Sequence, residues 1–343
     1  MKNGVKTALS VGFILLVIGM ALVAAAMLRG DNPLDVWNNA RFDVSTISTG
    51  FGGLKGFTVC KTGTESFSPD EVQRIDVGWI SGTVTLEPGA SDRLTVTERC
   101  EKELPDDQKL CWKLENGTLY LRFCSAARMQ TVDKDLVLNF PAGWTANSVE
   151  VGATSGDLTL RGLQLSGDLA VTVTSGEILV KDCRCEDLDA GATSGSVDVQ
   201  GCVCGKLTLG STSGALRAEN CRCDRIEAGS TSGDIQVKSG AKSITLSSTS
   251  GAIRCEAVPA GCDVSIGATS GKVKLQLKDT SDGQRITVTT TSGDVYLDVP
   301  GAMDLDYDTA SGDMSGRLES GGSGCPKVEI GTTSGDLILG AFD

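Results

Sequence analysis

The chain has 343 residues, with 43 glycines, aromatic residues at only 4%, and no histidine. That length suits one large domain or two smaller ones, and the abundant glycine with few rings suits a thin, repetitive structure. A net charge of −13 repels phosphate backbones and argues against a nucleic-acid partner, while the missing histidines remove Ser/His/Asp and Cys/His nucleophile systems and every His-ligated metal site.

Residues 1–7 are short and polar, and residues 8–28, ALSVGFILLVIGMALVAAAML, are uncharged and almost wholly apolar. As a helix rising 1.5 Å per residue they span roughly 30 Å, the thickness of a bilayer core. Lys2 and Lys6 precede the run and Arg29 follows it. The positive-inside rule then puts residues 1–7 in the cytoplasm and everything after residue 30 outside it. The rival reading is a signal peptide cleaved near Ala24-Ala25-Ala26, and the length of the apolar run favours an uncleaved single-pass anchor. The expected address is the cell membrane, with the C-terminal domain extracytoplasmic and the membrane itself a partner.

Residues 29–70 are polar and glycine-rich and read as a linker. From residue 71 to 147 the pattern is β-rich. RIDVGWISGTVTLEPG and DRLTVTE alternate, and LCWKLENGTLYLRFC holds two alternating runs joined by Asn116-Gly117. That dipeptide marks a hairpin, because both central residues of a type I′ turn need positive φ. This segment is expected to cap the C-terminal part of the chain. No amphipathic helix is expected after the anchor.

Residues 148–343 repeat. A Thr-Ser-Gly core, once Ala-Ser-Gly, recurs with its serines at 155, 175, 194, 213, 232, 250, 270, 292, 311 and 334. Six residues before each serine stands an apolar residue, from Val149 and Leu169 to Val328, and four before stands a second, among them Val151, Leu209 and Ile330. Three residues after each serine the chain is apolar again, from Leu158 to Leu337. Alternation on both sides of the motif means two strands per coil, each with one face inward. A period near 19–20 residues with this pattern predicts an all-β solenoid of about ten coils, each motif forming a corner. Glycine is expected there for the positive φ of a tight bend. IDVGWISGTVTL fits the same template at Ser81 and reads as an earlier coil, with residues 88–147 inserted as the cap.

Three features are candidates for chemistry. Cys183, Cys185, Cys202, Cys204, Cys221 and Cys223 form three CxC units spaced by 19 residues, so the thiols stack in two columns. Thiolates bind zinc or copper, and outside the cytoplasm thiols also pair as disulfides. Yet Leu163 and Leu165 fill the same positions one coil earlier, which favours plain core filling by small hydrophobes. In the cap, Cys100, Cys111 and Cys124 leave room for one disulfide. An acid follows the corner glycine at Asp157, Glu177, Asp234, Asp294, Asp313 and Asp336, a column that calcium-binding solenoids use with a different nonapeptide; solvated turn residues are the simpler reading. Finally, Gly152, Gly191, Gly210, Gly229, Gly267 and Gly331 lie three residues before the serine and, with the threonines, make a flat outward strip. Such a strip can lie against a glycan or a protein, or can simply reflect the exclusion of bulk beside a tight corner. No acidic pair set among aromatic residues suggests a glycosidase, so no catalytic residue, cofactor or metal is expected.

With these columns in place, residues 70–343 resemble a bacterial family known as "putative adhesins". The resemblance rests on IDVGWISGTVTLEPGASDRLTVTE, the hairpin, LVLNFPAGW and the recurrent TSGD units. It implies a right-handed β-solenoid or β-roll on an envelope protein, with no established enzymatic activity. The function it implies is surface contact with a glycan or another protein. A role as an envelope-stress sensor or scaffold that binds another membrane protein is the alternative. The CxC units depart from the family's usual pattern.

Overall fold

The computed structural model describes residues 56–124, 132–317, 321 and 324–340. The apolar run at 8–28 lies outside them, and no helix among the described residues is long and apolar enough to cross a membrane. The fold is an all-β β-solenoid, with almost no helix among the described residues. Each of the ten Ser-Gly motifs joins two strands, as the alternation requires. The chain divides into two compact units, Asp43–Gly205 and one that contains Lys206–Asp343.

In the first unit, one side of the stack is a parallel ladder of Thr118–Arg122, Arg74–Trp79, Ser148–Ser155, Leu169–Ser175 and Asp187–Ser194. The other side runs through Asp135–Phe140, Val84–Pro88, Leu158–Arg161, Ile178–Lys181 and Val197–Gln200. Register keeps like beside like: Val149 pairs Leu169, which pairs Leu188. All three are buried. A third, narrow side is held by the single bridges Gln164–Arg184 and Arg184–Val203.

The Ser81 motif forms a coil, as its pattern predicts, but the stack does not follow chain order. Its strand Arg74–Trp79 lies between Thr118–Arg122 and Ser148–Ser155, so the coil to which Thr118–Arg122 and Asp135–Phe140 belong is the outermost. That outer coil is covered by antiparallel strands. Cys111–Glu115 pairs Thr118–Arg122, and Leu94–Arg99 pairs Asp135–Phe140. Asn116 and Gly117 both take positive φ, 51° and 75°, giving the expected hairpin turn. The cap also reaches further back than expected, since Thr58–Val59 and Thr64–Phe67, within the stretch read as linker, pair with Cys111–Glu115 and Leu94–Arg99.

The cap is fastened by a buried ion pair. Lys134 Nζ donates to Glu98 Oε1, to the Gln108 carbonyl at 2.7 Å and to the Phe123 carbonyl, and it lies 4.3 Å from the centre of the Phe123 ring. Glu98 also accepts the Leu110 amide, and the Trp79 indole donates to the Lys134 carbonyl at 2.9 Å. Burial pulls the Lys134 ammonium below its usual range, and the Glu98 carboxylate opposes that shift.

The second unit repeats the coil. Ser243–Ser248, Asp263–Ala268 and Arg285–Thr290 stack in parallel on one side; Ile235–Gly240, Ile253–Val258, Val273–Leu277 and Val295–Asp298 stack on the other. Order again breaks at the end. Lys327–Thr332 lies between Arg285–Thr290 and Asp304–Thr309, and Leu337–Leu339 lies between Val295–Asp298 and Met314–Gly316.

Candidate functional site

The motif corners come first, because they position everything on the outward strip. A Cβ added to Gly195 would stand 1.8 Å from the Gly176 carbonyl oxygen, and one added to Gly251 would stand 2.0 Å from that of Gly233. The same approach recurs at Gly156, Gly176, Gly233, Gly271, Gly293, Gly312 and Gly335. Positive φ, the expected reason for glycine, holds at Gly156 and Gly176 but not at Gly195, Gly251 or Gly271. The requirement common to the column is therefore close stacking of one corner on the next.

Hydroxyls complete the corner. In the second unit Ser211, Ser230 and Ser248 are buried, two residues before the motif serine, and accept the amides of Gly214, Gly233 and Gly251 at 2.8–2.9 Å. At the same position Thr290 and Thr332 donate instead to the carbonyls of Gly293 and Gly335. The pattern hides these residues, because in the first unit Ala153, Val173 and Ala192 fill the position as ordinary core. The motif serines bond across coils, Ser270 Oγ donating to the Thr249 carbonyl at 3.1 Å and Ser292 Oγ to that of Thr269 at 3.2 Å.

The acidic column does more than meet solvent. Asp157 accepts the Glu177 amide at 2.9 Å, Asp234 that of Ala252 at 2.8 Å, and Asp336 that of Asp313 at 2.9 Å. Each of these carboxylates thus clips its coil to a neighbour through a charge-assisted bond. No group of three or more potential ligands is placed to hold a metal ion among the described residues.

The CxC thiols face inward. In the first unit Cys183, Cys185, Cys202 and Cys204 are buried beneath the narrow third side, in line with the buried Leu163 and Leu165. Cys183 and Cys202 donate to the carbonyls of Lys181 and Gln200, at 3.3 and 3.4 Å, and a hydrogen bond from the Cys202 thiol holds the Cys183 thiol below its usual range. Cys221 and Cys223 are likewise buried in the second unit. Cys100 in the cap is a free thiol, as are Cys60, Cys183, Cys185, Cys255, Cys262 and Cys325. Cys255 and Cys262 sit near one another in buried surroundings that raise both thiols, Cys262 to about 12.

The glycine strip is less open than its outward position suggests, since Gly152, Gly210, Gly229 and Gly267 are buried and Gly191 and Gly331 are partly so. Within the first unit Gly152 pairs in register with Thr172, and Thr172 with Gly191. Gly210 lies in the strand Val203–Ser211. In the second unit the row runs Gly229, Ser247, Gly267, Thr289 and Gly331, strand by strand. Beside these glycines stand hydroxyls that sequence alone does not single out. The side-chain oxygens of Thr208, Thr212, Thr231, Ser247 and Ser265 are shielded from solvent and have no hydrogen-bond partner among the described residues. Thr208, Ser247 and Ser265 alternate outward with the buried core positions Leu207, Leu209, Leu246 and Ile266, and Thr212 and Thr231 stand at the corners beyond. A shielded hydroxyl without a partner loses its bond to water and gains nothing in return. The five lie on neighbouring coils at three positions along the strand, five, three and one residue before the motif serine.

Comparison with known proteins comes down to one family and several distant folds. No curated protein matches the chain. Among solved structures, a putative adhesin from Parabacteroides distasonis shares 16% identity over 80% of this chain and 95% of its own, with a TM-score of 0.49. Others from Parabacteroides merdae and Bacteroides fragilis share 12% and 13% over the same fractions, with TM-scores of 0.45 and 0.38. The Toastrack DUF4097 family model matches residues 72–339, from the start of the first coil through the last, and the chain belongs to that family.

Proposed function

We propose that this chain is a non-enzymatic envelope protein whose solenoid makes surface contact with a glycan through the glycine strip of the second unit. The observation that carries the reading is the array of unpartnered hydroxyls at Thr208, Thr212, Thr231, Ser247 and Ser265. Strands repeat about every 4.8 Å, which sets the distance between Thr212 and Thr231 on adjacent corners, while Ser247 lies in the glycine row between Gly229 and Gly267. A carbohydrate brings hydroxyls of its own and can act as donor or acceptor to such groups where side-chain rotation brings them to the surface. The names of the similar solved structures agree with an adhesive role. Placement outside the cytoplasm rests on the apolar run at residues 8–28 and its flanking charges. The absence of histidine leaves no common general base for catalysis near neutral pH.

The test is a binding screen of the full-length chain against a glycan array, peptidoglycan fragments and extracts of its own membrane. The variant Thr212→Val/Thr231→Val/Ser247→Ala removes three hydroxyls with little change of shape. It is expected to fold as well as the parent, because the deleted groups are unsatisfied. Saturable glycan binding that this variant loses supports the proposal. Binding only to a protein of its own membrane would favour a sensory or scaffold role in the envelope.

A further inference from the structure

We infer that the outer coil of the second unit is a strand-accepting edge for an extended segment of another protein, one that alternates apolar and basic residues. The inference is independent of the glycan reading and concerns a different face. Among the described residues, Asp304–Thr309 pairs only with Lys327–Thr332, and Met314–Gly316 only with Leu337–Leu339. No antiparallel strand among the described residues covers them, unlike the outer coil of the first unit, where Cys111–Glu115 and Leu94–Arg99 do so. An uncovered strand edge leaves amides and carbonyls that must find water or a partner strand. The Asp304 amide donates inward to the Pro326 carbonyl. By alternation, the amides and carbonyls of Leu305, Tyr307 and Thr309 point to the open side.

The side chains mark the same edge. Leu305, Tyr307 and Met314 occupy core positions, in register with Val328, Ile330 and Leu337, which are at most 2% exposed. Yet Leu305 and Tyr307 are half-buried and Met314 is 50% exposed, so the core is left open at this coil. An added strand with apolar residues at alternate positions closes it. Charge selects the other positions. Asp304, Asp306 and Asp308 all project outward and are exposed, and neither Asp306 nor Asp308 has an ion-pair partner among the described residues. Basic residues on the incoming strand answer these carboxylates. A second copy of this chain docked edge to edge would set Asp306 and Asp308 against like charge, which opposes self-association.

The probe is a fluorescent seven-residue peptide alternating lysine with valine or isoleucine, titrated into full-length protein and followed by anisotropy. We expect saturable binding that falls tenfold or more with Asp306→Lys/Asp308→Lys. Exchanging lysine for glutamate in the peptide should abolish binding to the parent and restore it to the reversed variant. Methylating alternate peptide amides keeps the charge but blocks the ladder and should cost tenfold or more. A thermal melt of the reversed variant shows whether it stays folded, and the methylated peptide tests the unmodified protein in any case. No saturable binding to the parent, equal binding of the methylated peptide, or an affinity unchanged in the folded reversed variant would overturn the inference. Self-association of the parent that the reversal abolishes would overturn it as well, making the occupant a second copy.

Discussion

At the scale of single residues, one glycine per coil decides whether coils can stack. The motif glycines meet the carbonyl of the neighbouring corner at about van der Waals contact without any side chain, so a methyl group has nowhere to go. Gly251→Ala would place a carbon 2.0 Å from the Gly233 carbonyl oxygen, and backbone on both sides limits relief. The expected cost is about 1–3 kcal/mol, the usual range for overpacking, read as a lower denaturation midpoint. Gly331→Ala is the matched control, because no atom lies within 4 Å of its added carbon. It should change stability by less than about 0.5 kcal/mol. Equal effects at the two sites would mean that stacking contact is not what the motif glycine provides. The motif was legible in the sequence from its repetition, and so was its role as a corner. The reason for glycine was not, since φ and close approach select the same residue and only a structure separates them.

At the scale of elements, the cap depends on a residue that no pattern marks. Lys134 comes from the strand-leading end of one segment, Glu98 from another, and the carbonyls of Gln108 and Phe123 from two more. These four points of the chain are distant in sequence and meet only after folding. The ammonium and its carboxylate have side chains 0% and 5% exposed. Lys134→Met would leave the Glu98 charge buried without its partner, which costs about 3–5 kcal/mol. Adding Glu98→Gln removes that charge but keeps an oxygen for the Leu110 amide, and should recover most of the loss. Urea melts of the two variants check this; a double variant no more stable than the single one would sink the account. In the repeats, alternation reveals inward positions such as Val149 and Leu169 because they recur at a fixed period. Lys134 occurs once and carries a charge, so a sequence reading places it at the surface. The shielded hydroxyls of the strip were missed for a related reason. Thr208 and Ser265 look like solvent-facing strand residues until burial is known.

At the scale of the whole molecule, what the sequence conceals is the order of the coils. Spacing gives the number of corners and the two faces of each strand, but every coil fits every other, so spacing alone favours stacking in chain order. Both units depart from it at their ends, and apolar content explains the departure in the second. The coil at residues 327–339 brings Val328, Ile330, Leu337 and Leu339, all buried, while that at 304–316 brings Leu305, Tyr307 and Met314, all partly or largely exposed. Placing the richer coil inside and the poorer one at the margin buries more apolar surface than the reverse. Four aspartates, Asp304, Asp306, Asp308 and Asp313, tolerate the margin well because they remain hydrated there. Amide hydrogen exchange distinguishes the two orders. If the coil nearest the C-terminus is internal, amides of 327–332 should be protected like those of 285–290, and amides of Leu305 and Tyr307, which face the open side, should exchange about tenfold faster or more. Stacking in chain order predicts the opposite, with 304–309 protected on both sides and 327–332 carrying the fast amides. The comparison needs no mutation, because each strand contains residues facing either way and the Asp304 amide, bonded inward, provides an internal reference beside Leu305.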